Sequence, residues 1–146
     1  MSSIYEKEFA MRWSDLDPNN HMRHSVYADL CAATRLYYLE SIGYSMKKFG
    51  QLQLGPILFE ENLKYLKEVM ANDSLRVNVM IAGHSADGRK WKIRHELTRV
   101  SDGKIAAVVD VTGAWFNLKD RKVTTPPQDL QTTMESLPKT EDFVLM

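Results

Sequence analysis

The sequence predicts a single α+β domain in which one strand precedes a long helix and four strands follow it. The chain has 146 residues, which is near the usual size of one domain. One segment repeats its apolar residues at steps of three and four, and three later segments alternate apolar with polar residues. These three segments are consecutive along the chain, so they predict an antiparallel meander.

The first strand and the long helix are predicted from the N-terminal half of the chain. Residues 4–13 mix aromatic and apolar side chains with charges and then meet a run of turn-forming residues, which fits a strand that ends in a polar loop. Residues 25–42 carry the helical period, and few charges interrupt them. Ser25 or His24 can cap the start of this helix, and Gly43 suits the left-handed position after its end.

The second half of the chain predicts strands and turns. A short helical or irregular piece at 44–53 comes first, and residues 57–69 fit a long bent strand. Alternation predicts the next three strands near residues 75–81, 91–97 and 105–117. Two-residue hairpin turns are expected between them because Asp and Gly accept positive φ at low cost, and these dipeptides are Asp87-Gly88 and Asp102-Gly103.

The residues from Asp120 onward have no periodicity. We therefore expect a folded domain over residues 1–128 and a C-terminal tail over residues 129–146, lying on the surface or partly ordered.

Composition excludes several classes of protein. The 19 Lys and Arg residues balance 19 Asp and Glu residues, so no net positive charge is available to hold a nucleic acid. The single cysteine, Cys31, has no partner for an internal disulfide, and its apolar neighbours indicate a small buried side chain. No apolar run reaches the roughly 18 residues of a membrane span. Residues 1–9 carry early acidic side chains and no apolar leader core, so the expected location is the cytoplasm.

Titratable and amide side chains are concentrated in the loop over residues 12–27, between the first strand and the helix. One interpretation is structural, since Asp17 in Asp-Pro-Asn-Asn can simply hold a turn. The other is chemical. Backbone N–H groups at a helix start favour the negative charge of an oxyanion, and a nearby carboxylate can act as nucleophile or general base on a carbonyl.

The loop resembles the signature of the hotdog-fold thioesterases of the 4-hydroxybenzoyl-CoA thioesterase type. That signature has an aromatic-ended strand, two acidic residues separated by one residue, a histidine, and a tyrosine near the start of the long helix. In this sequence it runs from Trp13 to Tyr27. Lys64-Tyr65-Leu66 and residues 114–127 extend the resemblance to about residues 5–128. It implies a hotdog fold, in which a five- or six-stranded antiparallel sheet wraps a long central helix.

The resemblance also implies roles for individual residues of the loop. Asp17 would be the catalytic carboxylate, attacking the thioester carbonyl or activating water. His21 matches the histidine of one form of the family motif, while His24 matches that of another form, with Tyr27 as its tyrosine. Backbone N–H groups near His24 and Ser25 would polarise the carbonyl.

Substrate contacts are expected from Tyr27 and from two basic residues after a hairpin turn. Arg89 and Lys90 could meet the phosphates of coenzyme A, although a solvated basic hairpin is the preferred interpretation of these two residues. Neither a metal ion nor an organic cofactor is expected, because coenzyme A enters as part of the substrate.

Other charged residues have weaker assignments. Asp15 is expected to accept hydrogen bonds within the loop or to pair with Arg12. Asp29 lies on the predicted helix and is the second candidate for the catalytic carboxylate, because a related hotdog clade carries its carboxylate there. His84 and His95 have no recognisable partner and receive no function.

The expected function is hydrolysis of an acyl-CoA thioester to the free acid and coenzyme A. The alternative is a non-catalytic hotdog module that binds acyl-CoA or an acyl carrier protein, which would have no need for Asp17 at the thioester carbonyl. Residues 56–66 form an apolar candidate edge, so we expect a homodimer or a dimer of dimers. Asp17 of one chain would then lie near residues 55–65 of the other.

Overall fold

One long helix, His24–Ser41 (α1), lies against an antiparallel sheet in the computed structural model, which describes residues 4–146. The first three residues of the N-terminal segment considered for a leader lie outside the described residues. The other elements, in chain order, are β1 Tyr5–Ala10, a 3-10 turn Trp13–Asp15, α2 Met46–Leu52, β2 Leu54–Tyr65, β3 Ser74–His84, β4 Lys90–Arg99, β5 Ile105–Asn117, β6 Lys122–Val123, α3 Gln128–Glu135 and β7 Lys139–Leu145.

Five strands form the main sheet in the order β1-β3-β4-β5-β2, and all four of their pairings are antiparallel. The predicted meander is β3-β4-β5. Two short strands extend the sheet: β6 pairs antiparallel with β5, and β7 pairs parallel with β3 beyond the end of β1. The α+β class and the hotdog arrangement are confirmed.

The core lies between α1 and the sheet. Inward positions of β3, β4 and β5 alternate with outward ones as the sequence predicts, and the inward side chains are almost fully buried. The buried face of α1 comprises Val26, Tyr27, Cys31, Thr34, Tyr38 and Leu39. Cys31 is 0% exposed, and burial raises the pKa of its thiol to about 12, so it behaves as the small buried side chain that was expected.

The two hairpin loops are longer than the predicted two-residue turns. Ser85 N–H donates to Lys90 O at 2.9 Å, and Arg99 N–H donates to Lys104 O at 2.8 Å, so each loop has four residues. Gly88 and Gly103 adopt φ values of +74° and +69°. Asp-Gly therefore marks the turn correctly, but the side chains of the loop residues add hydrogen bonds that favour a wider loop.

Residues 129–146 differ from the expected tail. Helix α3 places Leu130 and Met134 in the core, and Leu137 follows them. Ile81 N–H donates to Pro138 O at 2.9 Å, and β7 continues along the edge of β3. A helix of eight residues gives too short a period to detect, and the parallel pairing joins residues far apart in the sequence.

Strand β2 is an edge strand, because only β5 pairs with it. Its pairing shifts between Leu58 and Glu60, which gives the bend that the sequence suggests. Leu58 and Phe59 are 45% and 56% exposed. The predicted edge segment thus pairs with β5 on one side, has no strand of the described residues on the other, and carries apolar side chains at the surface.

Candidate active site

The loop between β1 and α1 is held by backbone hydrogen bonds to residues 69–70, just before β3 begins. Met22 N–H donates to Val69 O at 2.8 Å, and His21 forms an isolated bridge with Met70. Asp15 is 2% exposed and accepts from the Arg12 guanidinium at 2.8 Å, which with its other hydrogen bonds lowers the pKa of its carboxyl. Asp15 therefore has the structural role expected for it.

The Asp17 carboxylate divides its two oxygens between different surroundings. Oδ1 accepts from the backbone N–H groups of Asn19 at 2.8 Å and His21 at 3.1 Å. Oδ2 has no hydrogen-bond partner among residues 4–146. The turn thus holds Oδ1 in place, while Oδ2 has no partner within the described residues.

The start of α1 offers two backbone donors next to this carboxylate. Within the part of the chain that is described, the N–H groups of His24 and Ser25 have no protein acceptor. Arg23 N–H instead donates to Asp15 O at 2.7 Å, and Arg23 Nη1 donates to Ser25 Oγ at 2.5 Å. No side chain caps this helix. Free donors at a helix N-terminus attract negative charge.

These groups line a cleft of about 360 Å³ between the loop, the start of α1 and the end of β2. Tyr27 meets Tyr65 edge-to-face at 5.0 Å between ring centroids, and burial raises the pKa of Tyr27. Tyr65 Oη donates to His24 O at 3.4 Å. On the opposite wall, His21 Nε2 lies 3.1 Å from Glu68 Oε2.

The structure brings together most, but not all, of the predicted site residues. Asp17, His21, His24 and Tyr27 all line the cleft, whereas Ser25, which follows His24 on α1, does not line it. Sequence reasoning misses Tyr65 and Glu68 as cleft residues. Tyr65 stands in the Lys-Tyr-Leu match to the family, and that match is the signal that points to it.

Arg89 and Lys90 do not line this cleft within one protomer, so their contact with coenzyme A stays a prediction. The cleft adjoins the start of β3, whereas these residues follow its other end, and a strand of 11 residues spans roughly 33 Å. Arg89 Nε donates to Thr125 Oγ1 at 3.1 Å and lies 3.4 Å from Asp87 Oδ2. Asp29 is exposed on α1 and does not line the cleft.

The model of the thioesterase-like superfamily matches residues 11–134, which is most of the chain. The chain belongs to the thioesterase-like superfamily. This thioesterase-like chain has its cleft and the whole of the main sheet beyond β1 within the matched residues. Membership confirms the predicted family.

A curated relative and two solved structures resemble the thioesterase-like chain. The acyl-acyl carrier protein thioesterase ATL3, chloroplastic, of Arabidopsis thaliana is 30% identical over 86 residues, which are 59% of this chain and 45% of the relative. The chain thus spans less than half the length of that relative.

A Staphylococcus aureus protein solved in complex with CoA superposes with a TM-score of 0.84 at 22% identity, covering 94% of this chain and 88% of its own. The 1,4-dihydroxy-2-naphthoyl-CoA thioesterase from Synechocystis gives 0.81 at 18% identity, covering 92% and 98%. At these identities the likeness establishes the fold.

Within residues 4–146, no group of three or more His, Cys, Asp or Glu side chains is placed to hold a metal ion. In the same range, no helix combines the length and apolar character needed to cross a membrane.

Proposed function

We propose that the protein hydrolyses an acyl-CoA thioester, with Asp17 as the catalytic carboxylate. One observation carries the proposal: Asp17, whose Oδ2 has no hydrogen-bond partner among the described residues, and His24, whose backbone N–H also has none, line the same cleft. A thioester carbonyl needs both a group that attacks it and donors for the oxyanion that then forms.

The reaction needs only these groups and one water molecule. The thioester oxygen would accept from the N–H groups of His24 and Ser25, which polarises the carbonyl. Asp17 Oδ2 then attacks the carbonyl carbon directly, or removes a proton from a water molecule that attacks it. In the direct route the C–S bond breaks to leave a mixed anhydride on Asp17, and a water molecule then hydrolyses this anhydride and restores the carboxylate. In the other route the C–S bond breaks after the activated water molecule attacks. In both routes water supplies the hydroxyl group of the free acid, and coenzyme A leaves as a thiolate that takes up the proton released by the water.

Three similar proteins inform the choice of thioester. One structural neighbour was solved with CoA, and another is named a CoA thioesterase. The Arabidopsis relative is named for an acyl carrier protein thioester, so this carrier is the alternative acyl donor. A non-catalytic binding module is the second candidate, and the free Asp17 Oδ2 argues against it, because a module that only binds has no use for a carboxylate beside the carbonyl.

The edge strand supports a homodimer as the working assembly. Antiparallel pairing of β2 with its copy would cover the unpaired edge and bury Leu58 and Phe59. In such a pair the start of one β2 would lie beside the end of the other. Because the cleft lies at the end of β2, it would then adjoin the partner subunit. Contact of Arg89 or Lys90 with a substrate bound at Asp17 requires this second copy.

The test is to replace Asp17 and assay a panel of acyl-CoA substrates. Asp17→Asn keeps the size of the side chain, and it should lower kcat by about a hundredfold or more, since a positioned general base alone contributes roughly 10²–10⁴. Asp29→Asn is the matched comparison on an exposed carboxylate of α1. A folded Asp17→Asn variant with nearly full activity would refute the assignment, and a large loss in Asp29→Asn instead would move it to Asp29.

A further inference from the structure

A second cavity, of about 270 Å³, lies between α1 and the sheet and has one charged side chain in its wall. Its lining is otherwise apolar or aromatic and includes Leu36, Leu58, Trp91 and Trp115. The charged residue is Arg35, which is half-buried on α1. A cation in such a wall is costly unless something balances it.

Among residues 4–146, the Arg35 side chain has a single hydrogen-bond acceptor, and this acceptor is neutral. Arg35 Nη1 lies 3.0 Å from His95 Nε2, and His95 Nδ1 lies 2.6 Å from Asn78 O. Because the carbonyl oxygen can only accept, Nδ1 carries the proton and Nε2 accepts from Arg35. Burial lowers the pKa of His95 to about 4, so the ring is neutral near pH 7 and cannot balance the guanidinium charge.

No carboxylate of residues 4–146 lies within 4.0 Å of the Arg35 guanidinium, although Glu61 acts on its pKa from a longer distance. Four of the five guanidinium N–H donors therefore lack a protein acceptor within the described range. The Nε1–H of Trp91 is also buried without a partner. The cavity wall thus holds donors in excess of acceptors, and one of the donors carries a full positive charge.

We propose that this cavity binds the far end of the acyl group, and that Arg35 selects acyl tails that carry an oxygen acceptor, above all a carboxylate. The inference rests on the proposed thioesterase function. Arg35 lies roughly 16 Å along α1 from the helix start, which suits the end of an acyl chain and not its thioester. A carboxylate is the best ligand because it balances the charge and can take two parallel N–H bonds from one guanidinium.

The first experiment compares pairs of acyl-CoA substrates of equal chain length, one with a terminal carboxylate and one unsubstituted, over a series of lengths. Wild-type protein should favour the carboxylated member in kcat/KM by about tenfold to a hundredfold at its best length, as expected for a hydrogen bond to a charged group. Arg35→Met should abolish this preference, and Arg35→Lys should keep part of it. Arg76→Met removes an exposed arginine on β3 and should leave the preference unchanged.

The second experiment does not depend on hydrolysis. Trp91 and Trp115 line the cavity, so quenching of tryptophan fluorescence can follow the binding of free monocarboxylic acids and of primary alcohols of equal length. The carboxylic acids should bind at least about tenfold more tightly than the alcohols to wild-type protein, and Arg35→Met should lose this difference. If Arg35→Met does not fold, the ratio of the two binding affinities in wild-type protein and in Arg35→Lys still tests the role of Arg35.

The two proposals can fail separately. Equal binding and equal turnover of the paired ligands by wild-type protein would overturn the role of Arg35, even if Asp17→Asn abolishes hydrolysis. A clear preference for carboxylic acids over alcohols in binding, without thioester hydrolysis by wild-type protein, would support the role of Arg35 in the cavity and refute the proposed function.

Discussion

His95 should make the stability of the protein depend on pH between about 6.5 and 4. In the folded chain burial lowers its pKa to about 4, while the unfolded chain has the ordinary value near 6.5. Between these values the unfolded state binds a proton that the folded state does not, so the free energy of unfolding falls as the pH falls. Each pKa unit is worth about 1.4 kcal/mol, so the full loss is about 3 kcal/mol.

The assay is urea unfolding of wild-type protein and of His95→Gln at pH 7, 6, 5 and 4. Gln can still donate to Asn78 O and accept from Arg35, but it does not titrate. Between pH 7 and pH 4, the free energy of unfolding of wild-type protein should fall by about 3 kcal/mol more than that of this variant. If the free energy of unfolding depends on pH in the same way for wild type and His95→Gln, the lowered pKa assigned to His95 is refuted.

Three more predictions concern the cleft, the assembly and the sheet. His24→Ala should lower kcat/KM more than His21→Ala, because His24 begins the helix at which the carbonyl would bind; equal or reversed losses would favour His21 as the family histidine. Light scattering at low micromolar concentration should give at least a dimer, and a fully active monomer would rule out a site that needs two chains. Gly113→Ala should destabilise the fold by about 1–3 kcal/mol in urea unfolding, because its new Cβ would lie 2.2 Å from Ile57 O and 2.6 Å from the Trp91 ring; unchanged stability would show that β2 moves freely away from β5.

The elements with a clear period were predictable from the sequence. The helix expected at residues 25–42 is His24–Ser41, and the three alternating segments are the central strands β3, β4 and β5. Each of these buries one face, so the period of the apolar residues reports directly on the core. Helix α3 and strand β7 were not predictable, because one is short and the other owes its place to pairing with residues distant in the sequence.

The second cavity could not be predicted from the sequence, although one of the residues near it, His95, could be predicted to be buried. His95 stands at an inward position of β4, in register with Ile93 and Leu97, so the alternation itself predicts a buried histidine. What the alternation cannot supply is the partner. Arg35 comes from α1, 60 residues earlier, and only the packing of the helix on the sheet brings the two side chains together.

The structural and the catalytic interpretations of Asp17 looked like alternatives in the sequence, but they act on different atoms of one side chain. The turn uses Oδ1, which accepts from the backbone N–H groups of Asn19 and His21. Those two hydrogen bonds leave the carboxylate little freedom to rotate, so the direction of Oδ2 is fixed by the turn. A residue that merely closed the loop would need only one oxygen, and Asn or Ser could supply it. An Asp at this position keeps a second, charged oxygen beside the start of α1. The same hydrogen bonds that argue for a turn are therefore also those that would hold a nucleophile or general base in place.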